Sequence, residues 1–163
     1  MLRLSTKGQY GVRAMFEIAS ASGTGPVTIK EISEKQDVSV AYLEQILNKL
    51  RKAGLINSVK GPGGGYVLNR EPGSISIGAI LRELEGPVAI TSCLDPREGC
   101  LRVDGCVTHL LWKSLGEKIE GFLDTMTLKD LMKGNKGNKV PAINKIRLRA
   151  KSGKTGSPAK PVG

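Results

Sequence analysis

Residues 61 to 65 of this chain read Gly-Pro-Gly-Gly-Gly, and that run constrains the fold more than any other feature. Proline lacks a backbone donor and glycine loses the most conformational freedom on ordering, so neither a helix nor a strand passes through it. The flanking segments, Leu55 to Lys60 and Tyr66 to Asn69, carry Ile56, Val59, Tyr66 and Val67, and the whole therefore predicts a β-hairpin. Backbone free of side chains also lets a partner approach closely. A nucleotide phosphate would be one such partner, but the Lys-Ser/Thr ending and following helix of a P-loop are absent.

Helical spacing precedes the hairpin. From about Ser5 to Ala21 the residues Ala14, Met15, Ile18 and Ala19 share one face, with Ser5 placed as an N-cap and Gly23 to Pro26 as the stop. Thr28 and Glu31 form a capping box that starts a short second helix, which runs to about Lys35. After a turn at Gln36 to Val38, Ser39 caps a third helix whose Leu43, Ile46, Leu47 and Leu50 recur at i, i+3, i+4 and i+7, and Gly54 ends it. Two helices around a tight turn make a helix-turn-helix, and with the hairpin they make a winged helix. The opposite face of the third helix presents Ala41, Tyr42, Glu44, Gln45, Asn48 and Lys49, small or polar groups suited to a nucleic-acid groove.

Beyond the hairpin, Ser76 to Glu85 reads as a fourth helix with Ile77, Ile80, Leu81 and Leu84 on one side, stopped by Gly86-Pro87. Val107 to about Met126 is a long helix with an apolar stripe of Val107, Leu111, Leu115, Ile119, Phe122, Leu123 and Met126. That stripe exceeds what one small domain readily covers, which predicts a dimerisation helix, since helix-turn-helix proteins pair to reach two half-sites. Thr127 and Asp130 cap a last short helix through Lys133.

Between the fourth helix and the long one lie all three cysteines and the only histidine, spaced Cys93-x6-Cys100-x5-Cys106-x2-His109. Pro96, Gly99, Gly105 and several charged residues interrupt this loop, so it buries little apolar surface to offset its ordering entropy. Bound metal would supply that free energy. Three thiols cannot all pair as disulfides, and Met1 to Ser20, with Arg3, Lys7, Arg13 and Glu17, contains no apolar signal core. A reducing cytoplasm and a metal or iron-sulfur centre are therefore expected, with no membrane association. A single tetrahedral Zn2+ is the alternative occupant, though zinc sites favour closely spaced Cys pairs that are missing here. With one histidine and no acid-base constellation around the loop, an enzyme is not expected.

Charge locates the partner. The net charge is +10, yet residues 133–163 hold nine Lys or Arg and no acid. Within residues 1–70 ten basic groups face five acidic ones, whereas residues 71–132 carry six against ten. The positive excess of the body thus lies in the first part, as expected if that part faces phosphate. Three segments follow: a winged-helix DNA-binding region at 1–70, a cluster loop and dimerisation helix at 71–133, and a disordered basic tail at 134–163.

The segments LSTKGQYGVRAM at 4–15, YLEQILNKLRKAGLI at 42–56, VKGPGGGYVL at 59–68 and the cysteine loop followed by Leu111-Trp112 together resemble the iron-sulfur cluster regulators of the Rrf2 family of winged-helix transcription factors. The resemblance covers about residues 1–133. It implies a mainly α (α+β) fold: a winged helix-turn-helix with a β-hairpin wing, a long C-terminal dimerisation helix and a cysteine-rich cluster loop. It also implies a homodimer that binds double-stranded DNA and regulates iron-sulfur assembly genes through a [2Fe-2S] cluster, with [4Fe-4S] or Zn2+ as alternatives. On matching positions the ligands would be Cys93, Cys100, Cys106 and His109. DNA contacts would come from Tyr42, Glu44 and Gln45 of the third helix and from Lys60, Gly61 and Pro62 of the wing. The family usually has five residues between its first two cysteines where this chain has six, and an Arg where this chain has Lys60.

Overall fold

A computed structural model describes residues 4–94 and 105–135 of the 163. Its helices are α1 (Thr6–Ser20), α2 (Ile29–Gln36), α3 (Val40–Lys52), α4 (Ile77–Glu85), α5 (Val107–Thr125) and α6 (Leu128–Asn135). Two strands, β1 (Ile56–Val59) and β2 (Gly65–Leu68), pair antiparallel with Ile56 opposite Leu68 and Val59 opposite Gly65. Short 3-10 turns stand at Pro72–Ser74 and Ser92–Leu94. The mainly helical winged-helix architecture read from the sequence is the one found. Among the described residues no helix is long and apolar enough to cross a membrane.

Local chemistry sets the helix ends. Ser5 Oγ accepts from the Gly8 amide at 3.2 Å, Thr28 and Glu31 close the expected capping box, and Ser39 Oγ accepts from the Tyr42 amide at 3.4 Å. Each such cap is worth about 1 kcal/mol. Asp37 turns the chain between α2 and α3 in the left-handed region, at φ 52°. Gly54, at φ 71°, closes α3 so that the Leu55 amide returns to the Leu50 carbonyl at 3.0 Å. The strands are one residue shorter at most ends than the hairpin reading, and Lys60 falls in the turn. Val27 adds an isolated third rung, exchanging hydrogen bonds with Tyr66 at 3.0 and 2.8 Å.

One hydrophobic core unites these elements. Met15, Ile18, Ile32, Leu43, Ile46, Leu47, Leu50 and Ile56 are fully or almost fully buried, together with Ile75, Ile80, Leu81, Leu84 and Leu128. The core therefore runs across residue 70: α4 lies on α1, and α6 inserts Leu128 from the far end of the chain. Gly8 and Gly11 of α1 make the α1–α4 contact possible, since a Cβ at either would collide with Glu85 or Leu84.

The long helix α5 belongs to this core at one end only. Its last turn is fixed by Ile77 N–H to the Met126 carbonyl at 2.8 Å and Leu128 N–H to the Ile75 carbonyl at 3.0 Å, and Leu123 and Met126 pack on the buried cluster. At the other end Val107, Leu110, Leu111 and Leu115 are 80, 66, 57 and 40 % exposed. The apolar stripe thus divides: its C-terminal residues serve the core and its N-terminal residues remain uncovered.

Candidate nucleic-acid interface and metal centre

The outer face of α3 carries Glu44, Gln45, Asn48 and Lys49, all exposed, because the buried leucine stripe on the opposite side fixes the helix rotation. Tyr42 differs. It is half-buried, its ring meeting Tyr10 edge-on at a centroid distance of 6.2 Å, and its hydroxyl lies 3.3 Å from Thr6 Oγ1. The Arg13 guanidinium sits 5.5 Å from the Tyr10 ring centroid. Tyr42 is therefore held by α1 through both its ring and its hydroxyl, whereas Glu44 and Gln45 are exposed.

Lys60, Gly61 and Pro62 are all exposed at the hairpin turn. The five-residue run proves to serve two purposes. Gly64 and Gly65 have no room for a side chain, because a Cβ would strike the backbone of Val59 and Gly61 or of Val27. Gly61 and Gly63, at φ 95° and 72°, have open space around them, so they shape the turn and leave bare backbone outward. The base of the wing is pinned by Asn69, which accepts from Asn57 Nδ2 at 2.6 Å and donates to the Gly54 carbonyl at 2.9 Å.

The cysteine loop is flanked by two short-range devices. Cys93 lies in the 3-10 turn Ser92–Leu94, which contacts α5, and its Sγ is 3.0 Å from Thr91 Oγ1. Cys106 is the residue before α5, with Sγ 3.2 Å from Thr108 Oγ1. Its sulfur makes no full capping hydrogen bond to the helix. The Thr108 hydroxyl nevertheless holds the thiol below its usual range, with the nearby His109 amide adding to the effect. Cys93 and Cys106 are free thiols. His109, in the first turn of α5, buries Nδ1 without a hydrogen-bond partner among the described residues. Cys100 lies outside those residues, and among them no three His, Cys, Asp or Glu side chains are gathered as a metal site.

The donors that are described suit a soft metal centre. An orphaned buried imidazole nitrogen costs roughly 1–3 kcal/mol, which a coordinated metal or a proton acceptor would recover. Two free sulfurs on adjoining elements, each beside a hydroxyl that can donate to a thiolate, are donors of the type that holds iron-sulfur clusters or zinc, although the described residues alone do not gather three of them at one point. The spacing of the cysteines drew attention to these sulfurs; the two threonines carried no signal beyond their adjacency.

The family model for Rrf2, described as an iron-dependent transcriptional regulator, matches residues 4–134. Over 131 residues the chain is 46 % identical to the HTH-type transcriptional regulator IscR of Klebsiella pneumoniae subsp. pneumoniae, covering 80 % of each. It is likewise 46 % identical to the IscR of Serratia proteamaculans, covering 80 % of this chain and 79 % of that one. The solved structure of T. potens IscR superposes with a TM-score of 0.70 at 45 % identity, over 82 % of this chain and 88 % of that one. CymR, the global cysteine regulator of B. subtilis, superposes with a TM-score of 0.71 at 39 % identity, over 82 and 98 %.

Proposed function

The chain belongs to the Rrf2 family of transcriptional regulators, as an IscR-type member, and from that we propose how it works. In our reading it binds duplex DNA as a homodimer and reports iron-sulfur status through a [2Fe-2S] cluster held by Cys93, Cys100, Cys106 and His109. Its targets would be genes of iron-sulfur cluster assembly. The observation that carries the sensing half is the buried Nδ1 of His109, without a hydrogen-bond partner among the described residues, in the first turn of the helix that Cys106 precedes.

Each segment has a physical task in this reading. Glu44 and Gln45 reach base edges, Lys60 meets phosphate, and Gly61 and Pro62 bring bare backbone close to the DNA. The uncovered apolar end of α5, from Val107 to Leu115, takes the same end of a second copy, which would remove those side chains from water. The cluster, when bound, supplies reversible one-electron chemistry and an occupancy that depends on iron supply. Ligation ties the first turn of α5 to the 3-10 turn at Ser92–Leu94, while the last turn of α5 is already tied to α4. Because α4 packs on α1 and α3, a change at the ligands biases the DNA-reading body through contiguous helices.

Iron, acid-labile sulfide and the visible spectrum of anaerobically purified protein test the cofactor, and affinity for a duplex selected from a random-sequence pool tests the partner. A coloured protein with sulfide and iron, whose duplex preference changes when the cluster is removed, is the expected result. One equivalent of zinc without sulfide overturns the sensor; failure to select any duplex overturns the DNA-binding role.

A further inference from the structure

The junction between α3 and the wing is closed by one side chain. Asn69, the residue after β2, donates from Nδ2 to the Gly54 carbonyl at 2.9 Å and accepts on Oδ1 from Asn57 Nδ2 of β1 at 2.6 Å. Its backbone N–H meets the Leu55 carbonyl at 3.0 Å. A carbonyl only accepts, so the Asn69 amide can point in one sense only, and its oxygen is then left for the Asn57 amide. Gly54 is where α3 ends, at φ 71°, with its own N–H on the Arg51 carbonyl at 3.0 Å. The contacts therefore run from the last turn of α3, across the turn that leaves it, to both sides of the hairpin.

Both asparagines are exposed, so these bonds add little to stability. They act on an angle instead. Glycine at the helix end leaves the junction between α3 and β1 permissive, and the rung between Val27 and Tyr66 ties β2 to the segment before α2 rather than to α3. Two contacts with DNA, the α3 face with Glu44 and Gln45 and the wing with Lys60, assist each other only if the span between them is fixed, because any freedom left in the junction is lost on binding. We propose that Asn69 is a positioning residue for DNA binding: by joining Gly54 to Asn57 it holds the wing at the angle where Lys60 reaches phosphate while α3 sits in the groove. This role rests on the DNA-binding reading and deepens it, since it falls to a side chain that need not touch the nucleic acid.

The test is affinity across a salt series for a duplex selected from a random-sequence pool, with full-length wild type, Lys60→Gln, Asn69→Ala and the double variant. Lys60→Gln removes one phosphate contact and should flatten the logarithmic salt slope by about 0.9 per protomer. Asn69→Ala removes no charge, yet it should flatten the slope as well, and Lys60→Gln should flatten it less in that background than in wild type. The two changes should be non-additive in affinity by at least about twofold, as for residues coupled through one network. The selected sequence should stay the same, because the base contacts are assigned to α3. A wild-type slope in Asn69→Ala overturns the role, since loss of stability or of a direct neutral contact leaves the slope unchanged. Additive effects, or a changed base preference, overturn it in favour of independent contact by Asn69 itself. Melting without DNA establishes that each variant is folded; if Asn69→Ala is not, Asn57→Ala breaks the same link from the strand side and carries the measurement with the same outcomes. A wild type that selects no duplex overturns the DNA-binding reading, and a slope that Lys60→Gln leaves unchanged overturns the wing contact; the positioning role falls with either.

Discussion

Arg82 of α4 donates to both carboxylate oxygens of Asp124 near the end of α5, Nη1 to Oδ2 at 3.0 Å and Nη2 to Oδ1 at 2.7 Å. Gly78, one turn earlier on α4, leaves the space the carboxylate occupies, since a Cβ there would collide with Asp124. The pair is about two-fifths exposed on both sides, 41 and 44 %, so its bidentate geometry contributes about 1 kcal/mol at most. Its position matters more than its strength, because it holds the helix that starts at the cysteine loop to the body that reads DNA.

Gly78→Ala should therefore destabilise the protein, although the same change in an ordinary helix interior gains up to about 1 kcal/mol. The sign should reverse in an Asp124→Ala background, where the obstructing carboxylate is gone. Thermal unfolding of the two single variants and the double variant measures it. If Gly78→Ala is stabilising in the wild-type background, the contact does not constrain the helix pair.

Acid sensitivity should be traceable to the caps. The Thr127 hydroxyl, donating to Asp130 Oδ2 at 2.6 Å, holds the Asp130 carboxyl below its ordinary value, with burial opposing and the Thr127 amide assisting. Glu31 is lowered in the same way by the Thr28 amide first and then the Thr28 hydroxyl. A carboxylate whose folded pKa is depressed contributes stability that is complete above its unfolded pKa, about 3.9 for Asp, and is lost as pH falls through the folded value. Asp130→Ala should accordingly cost about 1 kcal/mol at neutral pH, and its deficit should shrink below the ordinary carboxylate range. Melting temperatures of both proteins across an acid series check this; a deficit that persists unchanged at the acid end refutes the assignment.

The helix caps and the wing were legible because each is a local matter of two to five residues: Ser5, Thr28 with Glu31, Ser39 and the Gly61–Gly65 run act where they stand. What was not legible depends on residues far apart in sequence. Leu128 and Ile75 belong to no long periodic stripe, yet both are buried, because the segments before α4 and after α5 exchange backbone hydrogen bonds and carry them inward. The stripe on α5 read as continuous because periodicity records apolar spacing and not which half finds a partner in the same chain. At the candidate site the spacing of Cys93, Cys106 and His109 was plain, whereas the edge-on packing of Tyr10 on Tyr42, which ties α1 to α3, joins residues 32 positions apart and left no local pattern.

The proposed ligand set predicts a graded response. Cys93→Ala, Cys100→Ala and Cys106→Ala should each empty the site, because each removes an anionic donor that nothing else replaces. His109→Cys should keep a cluster at a lower reduction potential, since thiolate puts more negative charge on the iron than neutral imidazole. Iron content and the midpoint potential are the readouts. A His109→Cys protein with an unshifted or raised potential would show that His109 is not a ligand.

Glu44 should act on sequence choice more than on strength. It stands exposed on the outer face of α3 beside Gln45, where a carboxylate can accept a hydrogen bond from cytosine N4 but repels phosphate and the acceptor edge of guanine. A group that mainly penalises wrong sequences is visible only by comparing sequences, because removing its charge also lessens general repulsion from DNA. Glu44→Ala should therefore bind random duplex as tightly as wild type or more so, while its preference for the selected duplex falls by roughly 1–3 kcal/mol of discrimination at the position it faces. Selection from a randomised pool, carried out in parallel with both proteins at one fixed salt concentration, measures both quantities together. Identical selected sequences would remove Glu44 from the reading surface and leave base recognition to Gln45 and the wing.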